Sequence, residues 1–276
     1  MSREVFIGID IATSNIRAVA IDQSGTAVAR ANAPLAQVIR GDDKSATQDS
    51  KSWITGIDNV LTQLCKQLVE KALIPQSLLI SATSGTFVLC NIDGTQIADA
   101  VMYNDGRASD PLGRAAKVIQ TSKQSGPFIF ANTPEVLIAH LSAQPLAAIP
   151  TDSSHGLKMG IDLSSRDYLS ATKESANSLN ITLPKVVLPG TKIATLSNQI
   201  AAKLGIPAIP IYAGMTDGCT AQIAAGGATG SVTSLGTTMV IKAAGNKNIK
   251  GSSFYSHLLP KGKYLAGGAS NIGGIS

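Results

Sequence analysis

Residues 4–31, EVFIGIDIATSNIRAVAIDQSGTAVARA, decide how the chain begins to fold. Within them, 4–11, 16–21 and 26–31 are short apolar, strand-like runs separated by Thr13-Ser14-Asn15 and by Asp22-Gln23-Ser24-Gly25. Turn-forming gaps of that length predict consecutive antiparallel hairpins, a three-stranded meander. Beyond the meander the period changes. Trp53, Ile54, Ile57, Leu61, Leu64 and Leu68 recur at three and four between Ser50 and Ala72, which predicts an amphipathic helix with Asp49 or Ser50 as N-cap. Strand-like runs return at 77–82, 86–92 and 97–103, the last two joined by the hairpin dipeptide Asp93-Gly94, and a helix is expected from about Arg107 to Lys123. Residues 124–190 carry Pro127, Pro134, Pro145, Pro150, Pro184 and Pro189, so short helices and loops are expected there, some incompletely packed. Order is expected to return with helix 191–204, strand 208–213, a helix from about 218 to 226, and strands 231–235, 238–243 and 263–266. The last runs into GGASNIGG, read as a glycine-rich turn that begins a helix.

The 276 residues carry 23 Lys+Arg against 18 Asp+Glu, a net charge of +5, with 44% hydrophobic and 15% charged residues. These values exclude a disordered tail, a disulfide scaffold and a collagen-like fibre, and leave one large or two modest α/β domains. Lys242, Lys247, Lys250, Lys261 and Lys263 are scattered, with few aromatics to stack bases, so no nucleic-acid partner is expected. Cys65, Cys90 and Cys219 lie far apart and read as buried small hydrophobes, while His140, His155 and His257 lack metal-ligand spacing with them. The N-terminus shows no signal-peptide pattern and no stretch reaches the roughly 18 apolar residues of a membrane span, so a cytoplasmic protein without a membrane partner is expected.

Four motifs can carry chemistry. In Gly8-Ile9-Asp10-Ile11-Ala12-Thr13-Ser14, an acid near a strand end precedes small and hydroxyl residues, a pattern that holds hydrated Mg²⁺ and phosphate but also punctuates ordinary turns. In Gly214-Met215-Thr216-Asp217-Gly218 an aspartate follows a strand at a helix start, where it acts as general base or merely as N-cap. Ser234-Leu235-Gly236-Thr237-Thr238 and the segment 267–274 are backbone-rich turns able to cradle phosphate oxygens, or simple hairpin turns. Half the glycines, 13 of 26, lie from Gly214 onward, which marks the expected ligand face.

In order, GIDIATSNIRAVAID, ATSGTFVLCNIDGTQIADAVMYNDGRA, AGMTDGCTAQIAAGG, SVTSLGTTMVIKA and YLAGGASNIGG resemble the FGGY carbohydrate kinases, most closely their ribulose- and xylulose-kinase-like branch. The resemblance implies a ribonuclease-H-like α/β domain of the sugar kinase, actin and Hsp70 superfamily, in which ATP and sugar meet in a cleft. It implies that Asp217 takes the proton from the sugar hydroxyl and that Asp10 is the Mg²⁺ partner. Thr13 and Ser14 would form the first phosphate turn, and Gly236 with Thr237 the second. Gly267, Gly268 and Asn271 would meet the nucleotide. Ser84, Gly85, Asn104, Asp105 and Arg107 fall where the family binds the sugar.

Three departures accompany the resemblance. Ala12 stands where the family usually has Gly, residues 124–190 are shorter than the family segment, and the chain stops where a second domain is expected to begin. The division expected is a sugar-binding domain over 1–244 and the start of a nucleotide-binding domain over 245–276. Two functions are open: an ATP-dependent ketose kinase acting on a ribulose- or xylulose-type sugar, or a catalytically silent sugar-binding module. A partner chain that supplies the missing lobe is a third possibility, and an exposed apolar patch around Met239, Ile241, Leu265 and Ile272, favouring association into a homo-oligomer, is expected.

Overall fold

The computed structural model describes residues 3–235, 239–251 and 254–270. Strands β1 (Glu4–Ile11), β2 (Asn15–Asp22) and β3 (Ala27–Pro34) pair antiparallel in chain order, forming the meander. Along β1, Val5, Ile7, Ile9 and Ile11 enter the core, so the period of two leaves Phe6, Gly8 and Asp10 on the opposite face. Helix α1 (Lys51–Glu70) lays Trp53, Ile57, Leu61, Leu64 and Leu68 into that core. Burial of each contributes about 1.5–3 kcal/mol. Strand β4 (Ile74–Ala82) joins β1 in parallel, with Asp10 opposite Ser81 in the register.

Strand β5 (Phe87–Asn91), helix α2 (Pro111–Ser122), strand β6 (Phe128–Asn132) and helix α3 (Thr133–Ser142) build around a second, six-stranded sheet. Phe87 and Phe130 stack there with ring centroids 4.4 Å apart, while Val88, Cys90, Ile129 and Ala131 from the same strands enter the core of the first sheet. Helices α4 (Ser153–Lys158) and α5 (Ser170–Ser178), strand β7 (Lys192–Thr195), helix α6 (Asn198–Leu204), strand β8 (Pro210–Thr216) and helix α7 (Asp217–Gln222) come next in the chain. Strand β8 pairs with β4 in parallel and completes the first sheet in the order β7-β8-β4-β1-β2-β3. Strands β9 (Ser231–Leu235), β10 (Met239–Gly245), β11 (Tyr255–Leu258) and β12 (Tyr264–Ser270) make a four-stranded antiparallel sheet ordered β9-β10-β12-β11. Among the described residues no helix is long and apolar enough to cross a membrane.

Several expectations are corrected. The segment 191–204 is not one helix: Lys192–Thr195 is an edge strand, and helix α6 starts only where the Ser197 hydroxyl accepts the Ile200 N–H at 3.3 Å. The run 97–103 contributes only the short strand Ala100–Val101. Residues 124–190 are well packed in their first part, with Phe128, Phe130, Leu137 and Leu141 buried. Pro134, which reads as a breaker, instead opens helix α3, where its missing N–H costs nothing.

Strand β11 went unrecognised, and Gly267 and Gly268, expected in a nucleotide-contacting turn, lie inside β12 paired with β10. A Cβ on Gly267 would stand 1.8 Å from the Ile241 carbonyl oxygen, so that glycine serves strand packing. The expected division after residue 244 falls inside β10. Of the expected apolar patch, Leu265 is fully buried and Ile272 lies outside the described residues. Ile241 is exposed, together with Ile249 and Phe254.

Candidate active site

Asp217 begins α7 directly after β8. Its position depends on Gly214, where a Cβ would sit 2.0 Å from the Ile80 carbonyl oxygen; the missing side chain lets β8 press against β4. The register with β4 shifts between Ala213 and Thr216, and the chain turns out of the sheet. Two further contacts fix the turn. The Thr216 N–H donates to Ser154 Oγ at 2.8 Å, and the Ser81 and Thr220 hydroxyls meet at 3.0 Å, tying α7 to the strand beside β1. Gly218 N–H donates to Asp217 Oδ1 at 2.7 Å, and among the described residues nothing bonds Oδ2.

Two cavities meet at Asp217. One, of about 510 Å³, is lined by Asp10, Asp217, Gly218, Thr220, Ala221 and Ala224. The other, of about 430 Å³, is lined by Ser84, Ser154, Thr216, Asp217, Lys242 and His257, among others. Asp10 therefore shares a crevice with Asp217, on the face of β1 turned away from the core. Partial burial pushes the Asp10 carboxyl above the usual carboxylate range; the Asp217 charge adds to this, and Arg17, whose Nη1 lies 3.4 Å from Oδ2, only partly offsets it. A carboxylate whose ionisation is made costlier by a second carboxylate across a crevice fits a divalent cation, which binds through one or two carboxylates plus substrate phosphates. Thr13 and Ser14 form the turn after Asp10, the Thr13 carbonyl accepting Gln48 Nε2 at 2.7 Å. Gly236, Thr237 and Asn271 lie outside the described residues.

The expected sugar-side residues divide. Ser84 lines the second cavity, and Gly85 supports it with a positive φ of 83° and a carbonyl that accepts Arg114 Nη1 at 3.4 Å. Asn104, Asp105 and Arg107 line neither cavity. Asp105 is buried and accepts the Ala46 N–H at 2.9 Å and the Arg107 Nη2 at 2.7 Å, while its other oxygen takes Arg107 N and Nε. Burial works against that carboxylate, but the Arg107 and Ala46 hydrogen bonds more than offset it and hold it below the ordinary range.

The sequence reading missed Ser154 and the cluster behind it. Asp152 Oδ1 accepts the N–H groups of Ser154 and His155 at 2.8 and 3.1 Å and the Ser154 hydroxyl at 2.5 Å, while Oδ2 meets His155 Nδ1 at 2.5 Å. Complete burial pulls the His155 ring down, yet the adjacent Asp152 charge reverses that and leaves it above its ordinary value. Burial lifts neighbouring Glu135 to about 7. The signal in sequence was Asp152-Ser153-Ser154-His155, an N-cap pattern inside a segment that the prolines made look irregular.

The mixed sheets, their flanking helices and the crevice beside β1 define a sugar-kinase, actin-like fold. Over 99% of this chain it superposes on the ligand-bound xylulose kinase of Lactobacillus acidophilus (TM-score 0.79, 20% identity, 61% of that chain). It superposes equally on 99% of its length with the gluconate kinase of Lactobacillus acidophilus (TM-score 0.78, 18% identity, 61% of that chain). Residues 5–142 match the N-terminal domain of the FGGY family of carbohydrate kinases, and the chain belongs to that family. It is 21% identical over 247 residues to the xylulose kinase of Staphylococcus epidermidis, spanning 82% of this chain and 50% of that relative.

Proposed function

We propose that this chain carries the acceptor side of a sugar kinase, which transfers the γ-phosphoryl group of ATP to a terminal hydroxyl of a small sugar, with ketoses of the ribulose or xylulose type as reference acceptors. The observation that carries the proposal is Asp217 standing where two cavities meet, one shared with Asp10 and one lined by hydroxyls. The free oxygen of Asp217 accepts the proton of the acceptor hydroxyl as that oxygen attacks phosphorus. Ser84 orients the acceptor, while the Ser154 hydroxyl, bonded to Asp152 and to the Thr216 N–H, positions the turn that carries Asp217, and phosphoryl transfer is mainly positioning and charge neutralisation. Asp10 would hold Mg²⁺, which when bound neutralises phosphate charge. The xylulose kinase relatives support a sugar acceptor, and the gluconate kinase of like fold accords with a fold that does not by itself select which one.

The turn after Asp10, with Thr13 and Ser14, would face the phosphates. Because β10 crosses residue 244, we place the domain boundary before Ser231, so that the four-stranded sheet stays whole and closes the acceptor cavity through Lys242 and His257. An ADP-release assay over a pentulose panel tests the reading, with turnover expected and abolished by Asp217→Ala. Pentulose binding by calorimetry that is lost in Ser84→Ala, with no turnover, would instead make this a sugar-binding module that completes no transfer.

A further inference from the structure

The buried amide of Gln48 takes no part in the transfer chemistry above, yet it reaches the turn that follows Asp10. Gln48 ends the short strand Ala46–Gln48 of the second sheet and is only 1% exposed. Its Nε2 donates to the Thr13 carbonyl at 2.7 Å and to the Ala36 carbonyl, just beyond β3, at 2.6 Å, while its Oε1 accepts the Trp53 Nε1–H at 2.8 Å. An indole N–H can only donate, so Trp53 fixes which end of the amide carries the oxygen. Both N–H groups of the amide are thereby aimed at the two carbonyls.

These contacts also set which side of the turn faces outward. The Leu35 N–H donates to the Ser14 carbonyl at 2.9 Å, so the carbonyls of Thr13 and Ser14 are both occupied. In a planar trans peptide the N–H points opposite to the C=O, and with the Thr13 carbonyl held on buried Gln48 the Ser14 N–H points away from the interior. Among the described residues the N–H groups of Thr13 and Ser14 have no acceptor, and Ser14 is exposed. Successive unpartnered N–H groups in a turn attract an anion, whereas an outward carbonyl repels one. The face of the turn offered to a ligand therefore depends on one buried amide.

We propose that Gln48, locked by Trp53, is a positioning residue for phosphate, holding the Thr13–Ser14 peptide with its N–H outward in the turn that follows Asp10. This rests on the reading of that turn as the one facing phosphates, and it adds the residue that sets the turn's orientation. Acceptor binding, which uses the cavity lined by Ser84 and Asp217, does not depend on it.

The test is NMR and calorimetry on the full chain with magnesium tripolyphosphate and D-xylulose as probes, in wild type, Gln48→Met and Gln48→Glu. Trp53 is the only tryptophan, so its indole N–H gives a single resonance that reports on Gln48. We expect tripolyphosphate to move that resonance in wild type, saturating with the affinity that calorimetry gives. Gln48→Met keeps the stem without the amide, and the carboxylate of Gln48→Glu cannot donate. Each should weaken tripolyphosphate binding about tenfold or more and leave xylulose binding unchanged. A wild-type resonance that stays still while tripolyphosphate binds, a result that needs no variant to fold, would overturn the proposal. So would Gln48→Met binding tripolyphosphate as tightly as wild type, or equal losses for both probes, which would leave the amide a structural contact only. Wild type that binds no tripolyphosphate would overturn it together with the phosphate reading of the turn, leaving the acceptor reading in place. Gln48-dependent tripolyphosphate binding without turnover of any pentulose would sink the kinase reading alone.

Discussion

Asp217 and Asp105 both read as site carboxylates in the sequence, and the fold treats them oppositely. Asp105 is buried and both its oxygens are occupied by Arg107 and the Ala46 N–H, so it has no capacity left for a ligand. Asp217 accepts one N–H, from Gly218, and turns its other oxygen toward two cavities. An acid that works on substrate must keep a free lone pair, whereas one that holds a loop together uses every one it has. Asn104-Asp105-Gly106-Arg107 is therefore a clasp that fixes the loop before α2.

The comparison breaks most sharply at Asp217→Asn. It should lower phosphoryl transfer about 10²–10⁴-fold, the range for loss of a general base, with the denaturation midpoint nearly unchanged. Retention of a tenth or more of the wild-type rate would place the proton elsewhere. Asp105→Ala should do the reverse. Leaving the half-buried Arg107 unpaired and the Ala46 N–H without its acceptor costs about 1–3 kcal/mol in urea unfolding, and refolded protein should still bind acceptor. A comparable loss follows from Ser154→Ala, which leaves the Thr216 N–H without its partner; about 1–3 kcal/mol of stability and a lower kcat are expected, with KM little changed.

How much of this was legible in the sequence tracks its periodicity. The meander and α1 were legible because alternation along β1 and the three-and-four spacing from Trp53 to Leu68 are read by the same core. Asp10 and Asp217 were legible because each lies near a strand end with small or hydroxyl residues close by, Gly8, Ala12 and Thr13 for Asp10 and Thr216 and Gly218 for Asp217. The Asp152–His155 cluster was not, since its neighbours Asn132, Glu135 and Thr151 come together only when the start of α3 meets the segment before α4, and proline spacing hid both helices. The Asp105–Arg107 pairing was not legible because a motif fixes residue types in order and says nothing of which acid is already satisfied. Gly267 was misread because a glycine required by a close strand approach looks the same in sequence as one in a turn.

A further prediction concerns pH. His257 has a folded value near 3, below its unfolded value near 6.5, so its contribution to stability is complete above 6.5 and is lost as pH falls toward 3. In the difference between wild type and His257→Gln, stability should therefore decline below pH 6.5. A flat difference curve would mean that the ring is not buried beside Lys242. Glu135, raised to about 7, acts in the opposite sense, its contribution being lost as pH rises from about 4.5 through 7, so only the difference curve isolates the histidine.

The central claim, that Asp10 and Asp217 face one crevice, is tested most directly by following the Asp10 carboxyl in an NMR pH titration of wild type and of Asp217→Asn. The shared crevice predicts that Asp10 titrates lower once the Asp217 charge is removed, because that charge helps hold it up. An Asp10 titration that does not move would show the two acids on separate surfaces and contradict the account.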